Sequence, residues 1–150
     1  MKKFLKGFVY AWQGIKTCAK EERNFRFHLV VAFHLFLYLP FFDLTRGEAC
    51  LIIILCGLVI ALEALNSAIE RGIDATGVYN ARAGAAKDAA AGAVLIGAIT
   101  AAACGFILLW QPEAFAAIWR FYAGKPWAAA AQAAGIAAGA VFIKGKKNKE

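Results

Sequence analysis

Charge is scarce in this chain. Only 18% of its 150 residues are charged, against about 25% in ordinary globular chains, while 61% are hydrophobic and the mean hydropathy is +0.58. A chain so poor in charge need not bury a large soluble core, because lipid can serve as its solvent. Acidic residues are scarcer than basic ones, ten against seventeen, which leaves a net charge of +7. Nucleic acid is not the expected partner. Seven basic residues (Lys2, Lys3, Lys6, Lys16, Lys20, Arg23 and Arg26) precede His28 and flank a hydrophobic span, as a cytoplasmic flank does. Cys18, Cys50, Cys56 and Cys104 form no C-x-x-C pair, so neither a disulfide framework nor a zinc site is indicated, and they read as inert thiols in helices. No G-x-x-x-x-G-K-[ST] loop is present: the stretch Gly139 to Lys147 has glycine and lysine without that spacing. No protein-kinase signature occurs. Neither a cleaved signal, an internal repeat nor a soluble second domain is expected, since Lys6, Gln13 and Lys16 interrupt the apolar N-terminus.

The stretch that stands out is Glu63-Ala-Leu-Asn66-Ser-Ala-Ile-Glu70-Arg-Gly-Ile-Asp74. It continues an apolar run, Leu51 to Leu62, that is too long for one buried strand and too apolar for a surface helix. At about 100° per residue, Glu63, Glu70 and Asp74 fall within roughly 40° of one another, with Asn66 about 60° to one side. Three carboxylates and an amide thus line one stripe of a helix that begins in hydrocarbon. A charge near a bilayer centre costs about 2.5–3.5 kcal/mol even on a lenient scale, so such a stripe is expected to hold something cationic.

Residues 4–20 read as an amphipathic helix in the membrane interface, with Phe4, Leu5, Phe8, Val9, Trp12 and Ile15 on one face and lysines mainly on the other. Glu21 to His28 reads as a polar hinge. A short first span, Leu29 to Phe42, follows and ends near Pro40; Asp43 to Glu48 is a tight outer loop. The second span runs from Ala49 to Ile69 and places Glu63 roughly 21 Å in, nearer the cytoplasmic side. Gly72 to Gly84 reads as a cytoplasmic loop, Lys87-Asp88 opens a third span from Ala89 to Trp110, and Pro112 ends it. The apolar stretch Trp127 to Ile143 reads as a fourth span, with Trp119, Arg120, Tyr122 and Trp127 as an outer belt. Otherwise it is a re-entrant or surface helix. If it spans, the tail with Lys144, Lys146, Lys147 and Lys149 returns to the cytoplasm. The expected fold class is therefore all-α integral membrane: a surface helix, three transmembrane helices and a fourth C-terminal span. Residues 1–110 form the core and 111–150 an extension.

Glu63, Asn66, Glu70, Asp74, Lys87 and Asp88 gather at the cytoplasmic ends of the second and third spans, and Glu22 leads into the first span from that side. Mg²⁺ takes one or two protein carboxylates and otherwise phosphate oxygens and water. A lysine is a donor for phosphate, and a spare carboxylate near a hydroxyl is a general base. These parts suffice for phosphoryl transfer to a lipid hydroxyl arriving at the depth of Glu63. A competing reading is a small cation- or proton-coupled transporter using Glu63, which has no need of Glu22, Glu70, Lys87 and Asp88 at one edge. A catalytically silent scaffold is a third. His28 and His34 read most simply as packing or interfacial residues.

Glu63-x-x-Asn66-x-Ala68-Ile69-Glu70-x-x-x-Asp74, followed by Ala86-Lys87-Asp88-x-Ala90-x-Gly92-Ala93-Val94, resembles the small integral-membrane lipid kinases of bacteria, the prokaryotic diacylglycerol kinase and undecaprenol kinase family. Tyr10-x-Trp12-x-Gly14 and Glu22-Arg23-Asn24-Phe25 match as well. The resemblance covers roughly residues 4–110 and implies a homotrimer in the inner membrane, with shared active sites facing the cytoplasm. It implies that Glu63 is the catalytic base on the lipid hydroxyl, and that Glu22 and Glu70 bridge Mg²⁺ to ATP. Lys87 and Asp88 match nucleotide-binding positions; Asn66 and Asp74 match polar residues of the same site. Tyr10 matches a nucleotide-contacting tyrosine, and Val78, Tyr79 and Asn80 fall where the family touches the nucleotide. Glu-Arg-Asn-Phe resembles the undecaprenol kinase branch, which favours undecaprenol slightly over diacylglycerol as acceptor. The alanine-rich extension departs from the three-span pattern.

Overall fold

The computed structural model describes residues 2–145, with side chains from Phe4 onward. The basic tail at Lys146, Lys147 and Lys149 and the side chains of Lys2 and Lys3 lie outside the described residues. Among the described residues the chain is six α-helices with no strand: α1 (Lys2–Glu21), α2 (Arg23–Tyr38), α3 (Arg46–Ala75), α4 (Ala81–Leu109), α5 (Pro112–Gly124) and α6 (Pro126–Lys144). A 3-10 turn, Leu39–Phe41, extends α2. Four of the helices are long and apolar enough to cross a membrane: α2 with its 3-10 turn, α3, α4 and α6. The all-α integral-membrane class stands.

Several boundaries differ from the sequence reading. The polar hinge shrinks to one residue: only Glu22 leaves the helical region (φ −97°, ψ 117°), and α2 starts at Arg23. Helix persists because Arg26, the polar residue that would have argued for a loop, is consumed by helix ends. Its Nη1 donates to Lys20 O at 2.8 Å and Ala19 O at 3.3 Å, and its Nε and Nη2 donate to Ile143 O at 3.3 and 3.2 Å. One buried guanidinium thereby satisfies carbonyls at the C-termini of α1 and α6, where orphan acceptors and the negative pole of the helix dipole favour a cation.

The expected loop Gly72 to Gly84 is helical at both ends. α3 runs on to Ala75, Gly77 (φ +65°) turns the chain, and Asn80 caps α4 by accepting from Ala83 N at 2.9 Å. Lys87-Asp88 therefore sits two turns inside α4 rather than at its start. At the other end, Thr45 and Glu48 form a reciprocal capping box that starts α3. Pro112 does not merely end a span; it opens α5, where its missing N–H and fixed φ suit a first turn.

α3 and α4 pair most extensively, and Gly97 marks their closest approach: a Cβ there would lie 2.8 Å from Leu62 Cδ1. α2 lies against α3 on one side and α6 on another. The α2–α6 seam uses Gly135-x-x-x-Gly139, a small-residue spacing that lets helices approach in lipid. A Cβ on Gly139 would come within 2.8 Å of Val30 Cγ1. α5 closes the end of the bundle opposite the α1–α2 bend. Its Phe115, Phe121 and Tyr122 stack edge-on against Phe42, Phe41 and Tyr38, and Gln111 exchanges hydrogen bonds with the backbone of Asp43. Tyr122 thus packs inward, whereas Trp119 and Trp127 are exposed in the manner of a belt. The described core is slim: Phe25, Ala32, Ile52, Val59 and Val94 line the α2–α3–α4 contact.

Candidate active site

α3 carries the polar stripe, and its periodicity sorts the members by depth. Glu63 is buried, with 4% of its surface exposed, beneath about three further turns of α3. Asn66 and Ser67 are buried with it. Asn66 Nδ2 donates to Glu70 Oε1 at 2.9 Å, the one-turn spacing that brings i and i+4 side chains together. Glu70 is half-buried and Asp74 exposed, so burial falls steadily toward the loop.

Other helices complete the arrangement. Glu22, at the α1–α2 bend, accepts from Arg71 Nη2 at 2.7 Å, and Glu21 lies 3.4 Å from the same nitrogen. Arg71 follows Glu70 directly, so this ion pair fixes the bend against the end of α3. The carboxylates of Glu22 and Glu70 both lie within electrostatic reach of Glu63. Lys87 of α4 is paired with Asp74 across the α3–α4 loop. Val78, Tyr79, Asn80 and Lys87 line a shallow cleft of about 300 Å³ beside Ile73 and Gly84. Asp88 is exposed and stays out of these pairs, and Tyr10 is exposed on α1, three turns before the bend.

Two further residues join this neighbourhood. His28 Nε2 lies 3.7 Å from Glu63 Oε1 and lines the same chamber of about 330 Å³, together with Asn24, Phe27, Asn66 and Val94. The contact is longer than a hydrogen bond, so His28 packs beside Glu63 and becomes its ion-pair partner only when protonated. The signal was available, since an ionisable residue within an apolar span is by default a functional candidate. Arg71 is the other; its pairing with Glu22 spans 49 residues and leaves no local trace in the sequence.

Glu22 and Glu70 suit a hard cation. Each has one oxygen engaged, by Arg71 and Asn66, and the second takes no hydrogen bond among the described residues. No group of three or more His, Cys, Asp or Glu among the described residues is gathered to hold a metal ion by itself.

Residues 9–109 match the sequence profile of the family described as prokaryotic diacylglycerol kinase. The chain belongs to that family. It is a lipid kinase. It is 38% identical over 109 residues to the undecaprenol kinase of Bacillus subtilis, covering 72% of this chain and 89% of that protein. The diacylglycerol kinase of Synechocystis sp. is 36% identical over 110 residues, which are 72% of this chain and 63% of that longer protein. The diacylglycerol kinase of Escherichia coli is 34% identical over 110 residues, 73% of this chain and 90% of that protein. The family match in this lipid kinase stops at the end of α4, so α5 and α6 lie beyond it.

Proposed function

We propose that this lipid kinase transfers the γ-phosphate of ATP to the hydroxyl of a membrane lipid, with undecaprenol favoured slightly over diacylglycerol. The observation that carries the reading is the depth order on α3: a buried Glu63 about one turn below Asn66 and two turns below Glu70. A lipid hydroxyl and a nucleotide come from different solvents, and one helix offers groups at both levels. The preference for undecaprenol rests on Glu22-Arg23-Asn24-Phe25 and on the similarity to the Bacillus subtilis enzyme.

Glu63 takes the proton of the lipid hydroxyl as its oxygen bonds to phosphorus. Burial keeps this carboxylate close to hydrocarbon, where such a hydroxyl travels. Asn66 holds Glu70 in its rotamer, and Arg71 holds Glu22 beside it. Glu22 and Glu70 would hold Mg²⁺, which when bound neutralises charge on the nucleotide phosphates. Lys87 meets phosphate as a point charge, with Asp74 fixing its stem. Val78, Tyr79 and Asn80 wall the nucleotide cleft, and Tyr10 and Asp88 approach the nucleotide from its margins. The working unit is a homotrimer with shared sites in a bacterial inner membrane. The sites face the cytoplasm. Residues 1–110 form the catalytic core and 111–150 an extension.

The test is a side-by-side assay of phosphate transfer from Mg-ATP to undecaprenol and to diacylglycerol in detergent micelles. Transfer to both, faster to undecaprenol, is the expected result. Transfer to neither lipid overturns the kinase mechanism, and faster transfer to diacylglycerol overturns the acceptor preference.

A further inference from the structure

Two spaces meet at His28. One is the chamber that holds Glu63. The other is an apolar groove of about 340 Å³ running between α2, α3 and α4 from Phe27 to Leu109. Phe27, His28 and Ala98 line both. His28 thus stands where the groove opens onto the carboxylate, 3.7 Å from Glu63 Oε1, and is itself only half-buried.

Glu63 faces a difficulty that this arrangement answers. After it accepts a proton it must lose it again before the next turnover, yet it is almost fully buried. The side chains around it offer few acceptors. From α4 only Ala91, Val94, Leu95 and Ala98 face the chamber, none of which can take a proton. From α3 the nearest polar groups are Asn66 and the buried Ser67, neither of which is a base near neutral pH, and Glu70, which accepts from Asn66 Nδ2. At the bend one oxygen of Glu22 is committed to Arg71, and its other oxygen, like the second oxygen of Glu70, is assigned above to Mg²⁺. His28 is the titratable side chain paired with Glu63 among the described residues.

We propose that His28 is the proton acceptor behind Glu63. The inference rests on Glu63 being the base, as proposed above. The lipid O–H bond breaks as its oxygen bonds to the γ-phosphorus, the bond from that phosphorus to the β,γ-bridging oxygen breaks to release ADP, and the proton moves to Glu63 Oε1. It then passes to His28 Nε2 and leaves to cytoplasmic water. Nothing is oxidised or reduced, and Glu63 returns to its carboxylate form. The separation of 3.7 Å is slightly beyond a direct hydrogen bond, so the transfer needs a small approach of the two groups or one bridging water. His28 acts through Glu63 and is a positioning and relay residue.

The experiment measures kcat and KM for both substrates in the full chain carrying His28→Gln or His28→Ala, with Glu63→Gln alongside. His28→Gln retains a polar group facing Glu63 but cannot take a proton. It is expected to lower kcat by about ten- to a hundredfold, the low end of acid–base contributions, while both KM values stay within about threefold. His28→Ala is expected to recover rate when imidazoles are added, with recovery rising with their basicity. A purely structural role would not track basicity. The proposal is overturned if His28→Gln keeps kcat within about threefold of the parent, if KM moves instead of kcat, or if rescue ignores basicity. An inactive Glu63→Gln beside a fully active His28→Gln overturns this inference alone; an active Glu63→Gln overturns the base assignment and the relay with it. Retained Mg-ATP binding shows that each variant is folded. Should both histidine variants lose that binding, His28→Glu, which keeps a proton acceptor beside Glu63, decides: kcat within about tenfold of the parent supports the relay, and a variant that binds Mg-ATP but has lost kcat about a hundredfold or more overturns it.

Discussion

α3 and α6 are both long and apolar enough to cross a membrane, yet they use their few polar atoms in opposite ways. α3 keeps Glu63 and Asn66 buried and ends in Glu70, Arg71 and Asp74, and most of these side chains are tied to named partners on other helices or one turn along. α6 has no charged side chain between Lys125 and Lys144 and docks through Gly135 and Gly139 against α2. The contrast teaches how to read an intramembrane helix. Polar groups that are costly in lipid and yet retained, as on α3, mark chemistry. Small residues at a four-residue spacing, as on α6, mark contact. Arg26 joins the two kinds of region. It sits on α2 between the bend that carries Glu22 and the end of α6, and binds carbonyls of both α1 and α6.

The contrast breaks most decisively at Glu63. Glu63→Gln should reduce phosphate transfer by at least about a hundredfold while leaving Mg-ATP binding within about twofold, because the amide cannot take the lipid's proton. Transfer assays paired with nucleotide-binding titrations check this, and equal activity removes Glu63 from the role of base. One step up the stripe, Glu70→Gln should act on the nucleotide instead, weakening Mg-ATP binding about tenfold with a smaller effect at saturation. Unchanged Mg-ATP affinity would count against Glu70 as a metal ligand.

On the α6 side, effects should appear in stability first. Arg26→Gln removes charge-assisted hydrogen bonds to two helix ends and should destabilise by about 1.5–3 kcal/mol. Gly139→Leu drives a side chain into Val30 and should cost about 1–3 kcal/mol. Both show as lower thermal midpoints in micelles. Residual activity at low temperature should stay within a few-fold for Gly139→Leu, and a Glu63-like loss there would erase the distinction between the helices. The smallest effect concerns thiols. Burial pushes the Cys18 thiol above its ordinary range, although nearby Arg71 works against the shift. Cys50, near the start of α3, is exposed. Mild alkylation near neutral pH should therefore label Cys50 well before Cys18. Mass mapping reads the order, and equal labelling would argue that α1 leaves the bundle.

Much of the architecture was legible without coordinates because hydrophobic period and run length are local properties. They yield an all-α membrane chain, the interfacial character of α1, a fourth apolar helix and the depth order of Glu63, Glu70 and Asp74. The boundaries that failed did so for tertiary reasons. Polar residues at Arg23 to His28 look like a hinge until Arg26 and His28 find partners at Ile143 and Glu63, far along the chain. The segment from Ala81 onward looks like loop until Asn80 is seen capping a helix, and α5 is hidden because Pro112 reads equally as an end or a beginning.

The sequence by itself determined which residues share a face of α3 and how deep each lies, since a helix repeats every 3.6 residues whatever surrounds it. Only the tertiary structure decided which groups meet across helices. Examples are Glu22 with Arg71, Lys87 with Asp74, His28 with Glu63, and Arg26 with the ends of α1 and α6. Such pairs depend on how far each helix is rotated and slid against its neighbours. That is set by close contacts such as Gly97 on Leu62 and Gly139 on Val30, which no local pattern encodes.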